Sequence, residues 1–354
     1  MSTSSTILPP QRLLRPLHVN EKKLFGPGPS NMPPMVMEGL NQPMLGHLHP
    51  EFLDIMDDVK AGIQYVFQTN NPLTFAVSGS GHAGMECAVM NLLEEGETIL
   101  IVQNGIWGQR ASDLSDRLGL NVRKLVVPEG EVISLEDFSE VTSAMPSSPF
   151  HADNLKVDCV YSATQKVLNC PPGLAPISFS DKALKKMLSR KKRVPSFYLD
   201  ALELGNYWGC FDEPRRYHHT APISLVYALR EGLSAVAQEG IENLVERHLK
   251  NAKLFYAALE ELGLEPFVQN ENYRLPCLTT VRIPNGVDWK AVQSKLMARG
   301  YEIAGGLGPT VGKIWRIGTF GINSNPEDID ALKLALKSAL YEQKEENPQL
   351  KAAI

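Results

Sequence analysis

Tyr161-Ser162-Ala163-Thr164-Gln165-Lys166, followed after four residues by Pro171-Pro172-Gly173, is the stretch on which the reading of this chain turns. A short apolar run (Cys159, Val160, Tyr161) leads into hydroxyls, an amide and one lysine. Two readings compete. A lysine that closes a buried strand is desolvated, its pKa falls, and a partly neutral amine in a dry pocket can form a Schiff base with a carbonyl group. The same spacing also suits a surface lysine in a strand-to-loop turn, so the rest of the chain has to decide.

Working outward, strand and helix signals alternate. Residues 51–67 place Phe52, Ile55, Met56, Val59, Ile63, Val66 and Phe67 at helical spacing. Thr74–Val77 reads as a strand that enters Ser78-Gly79-Ser80-Gly81-His82 and then a helix through Leu93. Thr98–Val102 reads as a buried strand and Trp107–Leu118 as a helix ending near Gly119. This alternation predicts an α/β fold with a mainly parallel sheet. Residues 128–156, rich in serine and proline, offer no convincing strand and at most a short helix over Ile133–Val141. Helical pattern returns at Ile223–Gly232 and Gly240–Leu262, strands are expected at Thr279–Ile283 and Ile314–Ile317, and a helix over Asp328–Tyr341 opens at Asn325-Pro326-Glu327. The expected organisation is an arm over 1–20, a large domain over 21–238 and a small C-terminal α+β domain over 239–354. A length of 354 residues suits one large and one smaller core.

Composition removes several function classes. A net charge of −5 gives no electrostatic footprint for nucleic acid. No apolar run approaches the roughly 18 residues of a membrane span. Five scattered cysteines without a CxxC pair fit neither a disulfide framework nor a zinc site. The first 20 residues lack acids and carry Arg12 and Arg15, yet Pro9, Pro10 and Pro16 oppose an import helix. The terminal Ala352-Ala353-Ile354 does not match the peroxisomal Ser-Lys-Leu signal.

Several motifs carry chemistry. Ser78 to His82 is a glycine-rich strand-to-helix turn, where free N–H groups and the helix dipole suit a phosphate; a plain tight turn reads equally well. It is neither a Walker loop nor a GxGxxG site. Trp107, in Asn104-Gly105-Ile106-Trp107-Gly108-Gln109-Arg110, offers an indole face to a planar ring, or packs in the core. Tyr217-His218-His219-Thr220 presents four polar groups. In an extended segment its two histidines point to opposite sides, which opposes a shared metal, and its hydroxyls can reach a phosphate or lie on a surface turn. His47-Leu48-His49 is not read as a metal site, and Ser189-Arg190-Lys191-Lys192-Arg193 is read as a solvated helix end. Arg316, in an otherwise apolar strand after Gly305-Gly306-Leu307-Gly308-Pro309, needs an anionic partner, internal or substrate.

Taken together, Gly26-Pro27-Gly28-Pro29-Ser30-Asn31, Gln64 to Thr69, Ser78 to His82, Asn104 to Arg110, Tyr161 to Gly173, Asn206-Tyr207-Trp208-Gly209-Cys210, Tyr217 to Thr220 and Gly305 to Gly318 resemble the alanine–glyoxylate (serine–pyruvate) aminotransferases, class V pyridoxal-phosphate enzymes of fold type I. The resemblance runs from about residue 10 to 127 and from about 149 to 345. It implies pyridoxal 5′-phosphate as cofactor, held covalently by Lys166, which also moves the proton between Cα and C4′. It implies phosphate contacts from Ser80, Gly81, His82 and Gln165, ring stacking by Trp107, and phosphate contacts from Tyr217 and Thr220 across a homodimer whose arms wrap the partner. Gly28 and Arg316 would meet the substrate, with Arg316 on its carboxylate. Small amino acids and 2-oxo acids are the implied substrates, and a peroxisomal or mitochondrial location the implied address.

One departure stands out. The family carries an apolar strand between the one near Val126 and the lysine segment, with an aspartate that pairs with the pyridine nitrogen. About forty residues are missing there, one or two strand–helix units. Asp158 aligns with another family aspartate and Asp153 lies too close in sequence to stand beneath the ring. The expectation is therefore impaired transamination, with central strand edges left unpaired. Alternatives are a non-catalytic subunit pairing with an intact relative, a 3-hydroxykynurenine transaminase, or, last, a cysteine desulfurase, for which Cys277 is a poor nucleophile.

Overall fold

The structure, a computed structural model, describes residues 7–131 and 145–346. The expected helix over Ile133–Val141 lies outside the described residues. After an exposed arm, the elements run β1 (Lys23–Leu24), α1 (Pro34–Leu40), α2 (Pro50–Phe67), β2 (Leu73–Ser78), α3 (Gly81–Leu92), β3 (Thr98–Gln103), α4 (Ile106–Arg117), β4 (Asn121–Val126), β5 (Cys159–Tyr161), β6 (Leu174–Phe179), α5 (Asp181–Leu188), α6 (Ala201–Tyr207), α7 (Ile223–Glu239) and α8 (Ile241–Glu261). Then follow β7 (Leu278–Arg282), α9 (Trp289–Ala298), β8 (Tyr301–Glu302), β9 (Ala304–Gly305), β10 (Ile314–Gly318) and α10 (Pro326–Glu346).

The first core forms around β2 and β6. Phe52, Met56, Val59, Ile63, Val66 and Phe67 of α2 are buried, as their helical spacing predicts, while Ile55 is only partly so. β6 is buried along its whole length, and α3 approaches it closely: a Cβ on Gly84 would lie 3.1 Å from Ala175 Cβ and 3.2 Å from Tyr161 Cδ2. α1, α2 and α7 add Val36, Val59 and Leu229 to the same core. A second core gathers Phe255 and Leu259 of α8, Val292 and Leu296 of α9, Trp315 and Ile317 of β10, and Leu332 and Leu336 of α10. Between α7 and α8 stands Gly240 at φ +83°, a left-handed turn that a side chain adopts only with strain.

The sheet is in two pieces. β6 lies between β2 and β5 and runs antiparallel to both, from Leu73↔Phe179 to Ser78↔Leu174 on one side and Cys159↔Phe179 to Tyr161↔Ile177 on the other. β2 and β5 thus share a direction, and β3 and β4 pair in parallel as a separate ribbon. Among the described residues, no strand joins β5 to β3. Parallel strands normally have both faces covered, yet Leu100 is 61% exposed and Val126 67%.

Two sequence expectations need correction. Sequence alternation does not reveal that β6 runs against its neighbours; the fold class stands, with one reversed strand. Lys166 does not close a strand either. β5 ends at Tyr161, and the lysine sits in the connection from β5 to β6, pinned by Ser162 N–H to Pro176 O (2.8 Å), Thr164 Oγ1 to Pro171 O (2.6 Å) and Cys170 N–H to Thr164 O (3.1 Å).

Candidate active site

The Gly26–Asn31 loop bridges the two cores. At one end Phe25, a member of the second core, exchanges backbone hydrogen bonds with Glu302 O (2.8 Å) and Gly318 N–H (2.7 Å). At the other, Ser30 N–H donates to Gln165 O (3.0 Å) and Ser30 Oγ to Lys166 O (2.7 Å). The loop therefore fixes both backbone and amine of the lysine segment. Lys166 Nζ donates to Pro27 O and lies 5.9 Å from the centre of the Phe320 ring. Gly28 has φ +109°, and a Cβ there would come within 2.5 Å of Lys166 Nζ. Burial, and then the charge of Arg316, lower the lysine pKa, against a smaller opposing pull from the Cys277 thiol. The desolvated reading of the lysine holds, and the surface-turn reading falls.

The glycine turn opens toward solvent beside this segment. Ser80 is the N-cap of α3 but its hydroxyl makes no cap bond, and neither Gly81 nor His82 N–H has a partner among the described residues. Those orphan donors at the positive end of a twelve-residue helix form an anion cradle. A Cβ on Gly81 would press at 3.2 Å on Ala163 Cβ, so the turn and the lysine segment are direct neighbours. Gln165 Oε1 is buried without a partner among the described residues. A half-turn of that amide exchanges O for NH2 without changing its shape, which presents a donor to an anion. Trp107, at the start of α4, is 52% exposed and meets His82 edge-on, ring centres 5.1 Å apart, so it is not the core tryptophan of the alternative reading.

Arg316 in β10 donates Nε–H to Gly305 O at 2.8 Å. No carboxylate lies within ion-pair distance of it among the described residues, which leaves its fork available to a ligand. Its pKa is lowered by burial, with the Glu302 charge opposing. Glu302 accepts Gly26 N–H at 2.7 Å, and burial raises its pKa. Glu302 and Phe320 carry no motif signal of their own; both were legible only as neighbours of the Gly305–Gly318 segment.

Tyr217 and Thr220 lie exposed, and neither hydroxyl makes a hydrogen bond to Lys166 or to Ser80, Gly81 or His82 among the described residues. The histidines between them do not diverge as expected: His218 Nδ1 and His219 Nδ1 are 2.7 Å apart. The segment is irregular rather than extended, so the alternation rule of strands does not apply. Among the described residues no group of His, Cys, Asp and Glu could hold a metal ion, and no helix is long and apolar enough to cross a membrane. The basic run after α5 serves the fold. Arg190 Nη1 donates to Asn91 O (3.2 Å) and Leu93 O (2.8 Å), satisfying carbonyls at the end of α3.

Neither candidate acid faces the site. Asp158 accepts from Lys182 Nζ (2.6 Å) and Ser180 Oγ (2.8 Å), and Asp153 from Thr69 Oγ1 (2.5 Å) and Asn70 N–H (2.9 Å). Those bonds hold both carboxyls below their usual pKa. Cys277 is buried and its thiol is pushed up to about 12, chiefly by burial, so it is no nucleophile.

The profile of the family described as aminotransferase class-V matches residues 24–143 and 140–332, in two blocks that meet in the stretch where the family's additional strand is expected. The chain is 42% identical to an alanine–glyoxylate aminotransferase of Callithrix jacchus, over 94% of this chain and 91% of that protein. It is 39% identical to the one of Drosophila melanogaster, over 95% and 96%. The 377 aligned columns of the Callithrix comparison cover 94% of 354 residues, so about forty columns have nothing opposite in this chain. The solved alanine–glyoxylate aminotransferase of Nostoc sp. superposes with a TM-score of 0.90 at 40% identity, covering 95% of this chain and all of that one. A ureidoglycine–glyoxylate aminotransferase of Bacillus subtilis gives 0.88 at 28% identity, over 93% and 95%.

Proposed function

The chain belongs to the class V aminotransferase family, whose cofactor is pyridoxal phosphate, and on that footing we propose that it transfers the amino group of alanine or serine to glyoxylate or pyruvate, slowly, because neither Asp153 nor Asp158 stands in for the family's aspartate at the cofactor's ring nitrogen. The carrying observation is the lysine: one desolvated ε-amine that donates to Pro27 O and packs against Gly28, in a segment that neighbours the anion cradle and under the charge of a guanidinium with no carboxylate partner among the described residues. Bound at Lys166, the cofactor supplies the electron sink for the substrate's Cα carbanion.

Each residue then has a role that its surroundings explain. Ser80, Gly81, His82 and Gln165 bind the phosphate with donors that are otherwise unused. Trp107 presents a face to the ring and excludes water from it. Lys166, with its lowered pKa, spends more time as a free base, and as such takes the proton from the substrate's Cα. Arg316 grips the substrate carboxylate with the part of its fork that Gly305 does not occupy, and so orients the Cα–H bond toward Lys166.

Impairment follows from charge. A protonated ring nitrogen needs a nearby anion, and each unit of pKa lost is worth about 1.4 kcal/mol. Asp158 and Asp153, the acids nearest in sequence, are committed to other partners. Exposed Tyr217 and Thr220, and an arm with Ile7, Leu8 and Leu17 bare, support a homodimer in which each protomer completes the other's phosphate site. The test is a spectrum with pyridoxal phosphate, followed by pyruvate formation from alanine and glyoxylate. The bound-cofactor band is expected and should vanish in Lys166→Ala. Pyruvate formation as fast as that of the Nostoc relative refutes impairment.

A further inference from the structure

Outside the catalytic residues, one cluster forms a closed chain of hydrogen bonds. Ser78 Oγ lies 2.7 Å from His219 Nε2, His219 Nδ1 lies 2.7 Å from His218 Nδ1, and His218 Nε2 lies 3.0 Å from Phe197 O. We propose that Ser78, His219 and His218 form a neutral, one-directional relay that clamps the Tyr217–Thr220 segment to the strand feeding the phosphate turn, which makes both histidines positioning residues for the cofactor phosphate. The proposal rests on the function proposed above and gives a role to two residues which that reading leaves idle.

The direction of the relay follows from its last member. A backbone carbonyl only accepts, so His218 carries its proton on Nε2. A neutral His218 then accepts at Nδ1, so His219 donates from Nδ1. His219 Nε2 is left as an acceptor, and the Ser78 hydroxyl donates to it. All three bonds close with both rings uncharged. The rings are also held by packing: Phe197 stacks on His218 at 4.8 Å, and Tyr198 and Tyr207 meet His219 edge-on at 5.1 and 5.6 Å. Tyr198 OH donates to Ser78 O at 3.1 Å, so the last residue of β2 is gripped at both its hydroxyl and its carbonyl. Burial first, then the neighbouring His218 and His47, lower the His219 pKa to about 4, in keeping with a neutral ring.

A serine donating to a histidine is also the opening of a nucleophilic triad. Here the chain ends on a carbonyl rather than a carboxylate, so nothing stabilises an imidazolium, and His219 is too weak a base to activate Ser78. What the relay does is mechanical. The hydroxyls of Tyr217 and Thr220 flank it without hydrogen-bond partners among the described residues, and Tyr217 is 58% exposed. Two free donors are thereby presented from a rigid, buried base, and their freedom is already spent before a phosphate arrives.

The test has two arms. In the cofactor-free full chain, side-chain 15N–1H correlation spectra should show the Nε2–H tautomer for His218 and the Nδ1–H tautomer for His219; Ser78→Ala should perturb the His219 Nε2 resonance. In the second arm, Ser78→Ala and His219→Phe are titrated with pyridoxal 5′-phosphate and with pyridoxal. The phosphate form should bind at least tenfold more weakly while pyridoxal binds as before, and Ser78→Thr should restore affinity. Reversed tautomers, or equal losses for both forms, overturn the proposal. If the unmodified chain takes up neither form, the functional reading and the positioning role fall together, and the spectra still decide the relay.

Discussion

Replacing Gly28 by alanine tests how closely the loop and the lysine are fitted. The residue has φ +109°, where a side chain costs about 1–3 kcal/mol of backbone strain. The new Cβ would also stand 2.5 Å from Lys166 Nζ and 2.7 Å from its Cδ, against an ordinary carbon contact of about 3.5–4.0 Å. The lysine tip must therefore retreat by about 1 Å, a misplacement that can cost on the order of a hundredfold in a reacting pair. Gly96→Ala is the control: its φ is +85°, with nothing within 4 Å of the added Cβ, so it carries strain without touching the site. Absorbance titration with pyridoxal phosphate, beside thermal unfolding, separates the two effects. Both variants should lose a similar few degrees of Tm, and only Gly28→Ala should lose cofactor affinity, by tenfold or more. Equal affinities in the two variants would show that Gly28 is only a turn residue and refute the fitted-loop reasoning.

Three further outcomes are expected. Arg316→Lys keeps the charge but loses the planar fork, so the KM for alanine should rise by roughly tenfold or more while cofactor affinity holds; an unchanged KM removes the guanidinium from the substrate site. His248 donates Nδ1–H to Leu244 O (2.8 Å) and accepts Gly321 N–H at Nε2 (3.1 Å); its full burial, against a smaller upward pull from the Leu244 bond, lowers its pKa to about 4. The unfolded chain binds that proton near the ordinary histidine value of 6.5, so stability is complete above this pH and falls as pH drops toward 4, by on the order of 3 kcal/mol. Urea titrations across that range should show the loss, and a flat profile contradicts the assignment. Arg190→Ala strands two carbonyls at the end of α3 and should lower stability by about 1–3 kcal/mol without changing the affinity for pyridoxal phosphate.

Much of this was legible in the sequence because it depends on local spacing. The helical period of Phe52 to Phe67 gave α2, and the glycine turn from Ser78 to His82 gave the start of α3 within a residue or two. Lys166, Trp107 and Arg316 stand out because each is a residue type out of keeping with its neighbours. What remained hidden depends on long-range geometry. The reversal of β6 cannot be read from an apolar run that is buried on both faces. The convergence of His218 and His219 comes from an irregular backbone, to which strand alternation does not apply. Glu302 joins the site because β8 pairs with β1, over 270 residues earlier in the chain, and no local pattern signals it. Among the described residues β3–β4 forms a ribbon apart from β2–β6–β5, and that separation too is a matter of long-range pairing.

The central claim is that the Lys166 amine takes pyridoxal phosphate covalently. Borohydride reduction of the loaded chain, then proteolysis and mass mapping, addresses it directly. A reduced cofactor adduct is expected on the peptide carrying Lys166 and none in Lys166→Ala; an adduct spread over surface lysines, or no adduct, contradicts covalent capture at Lys166.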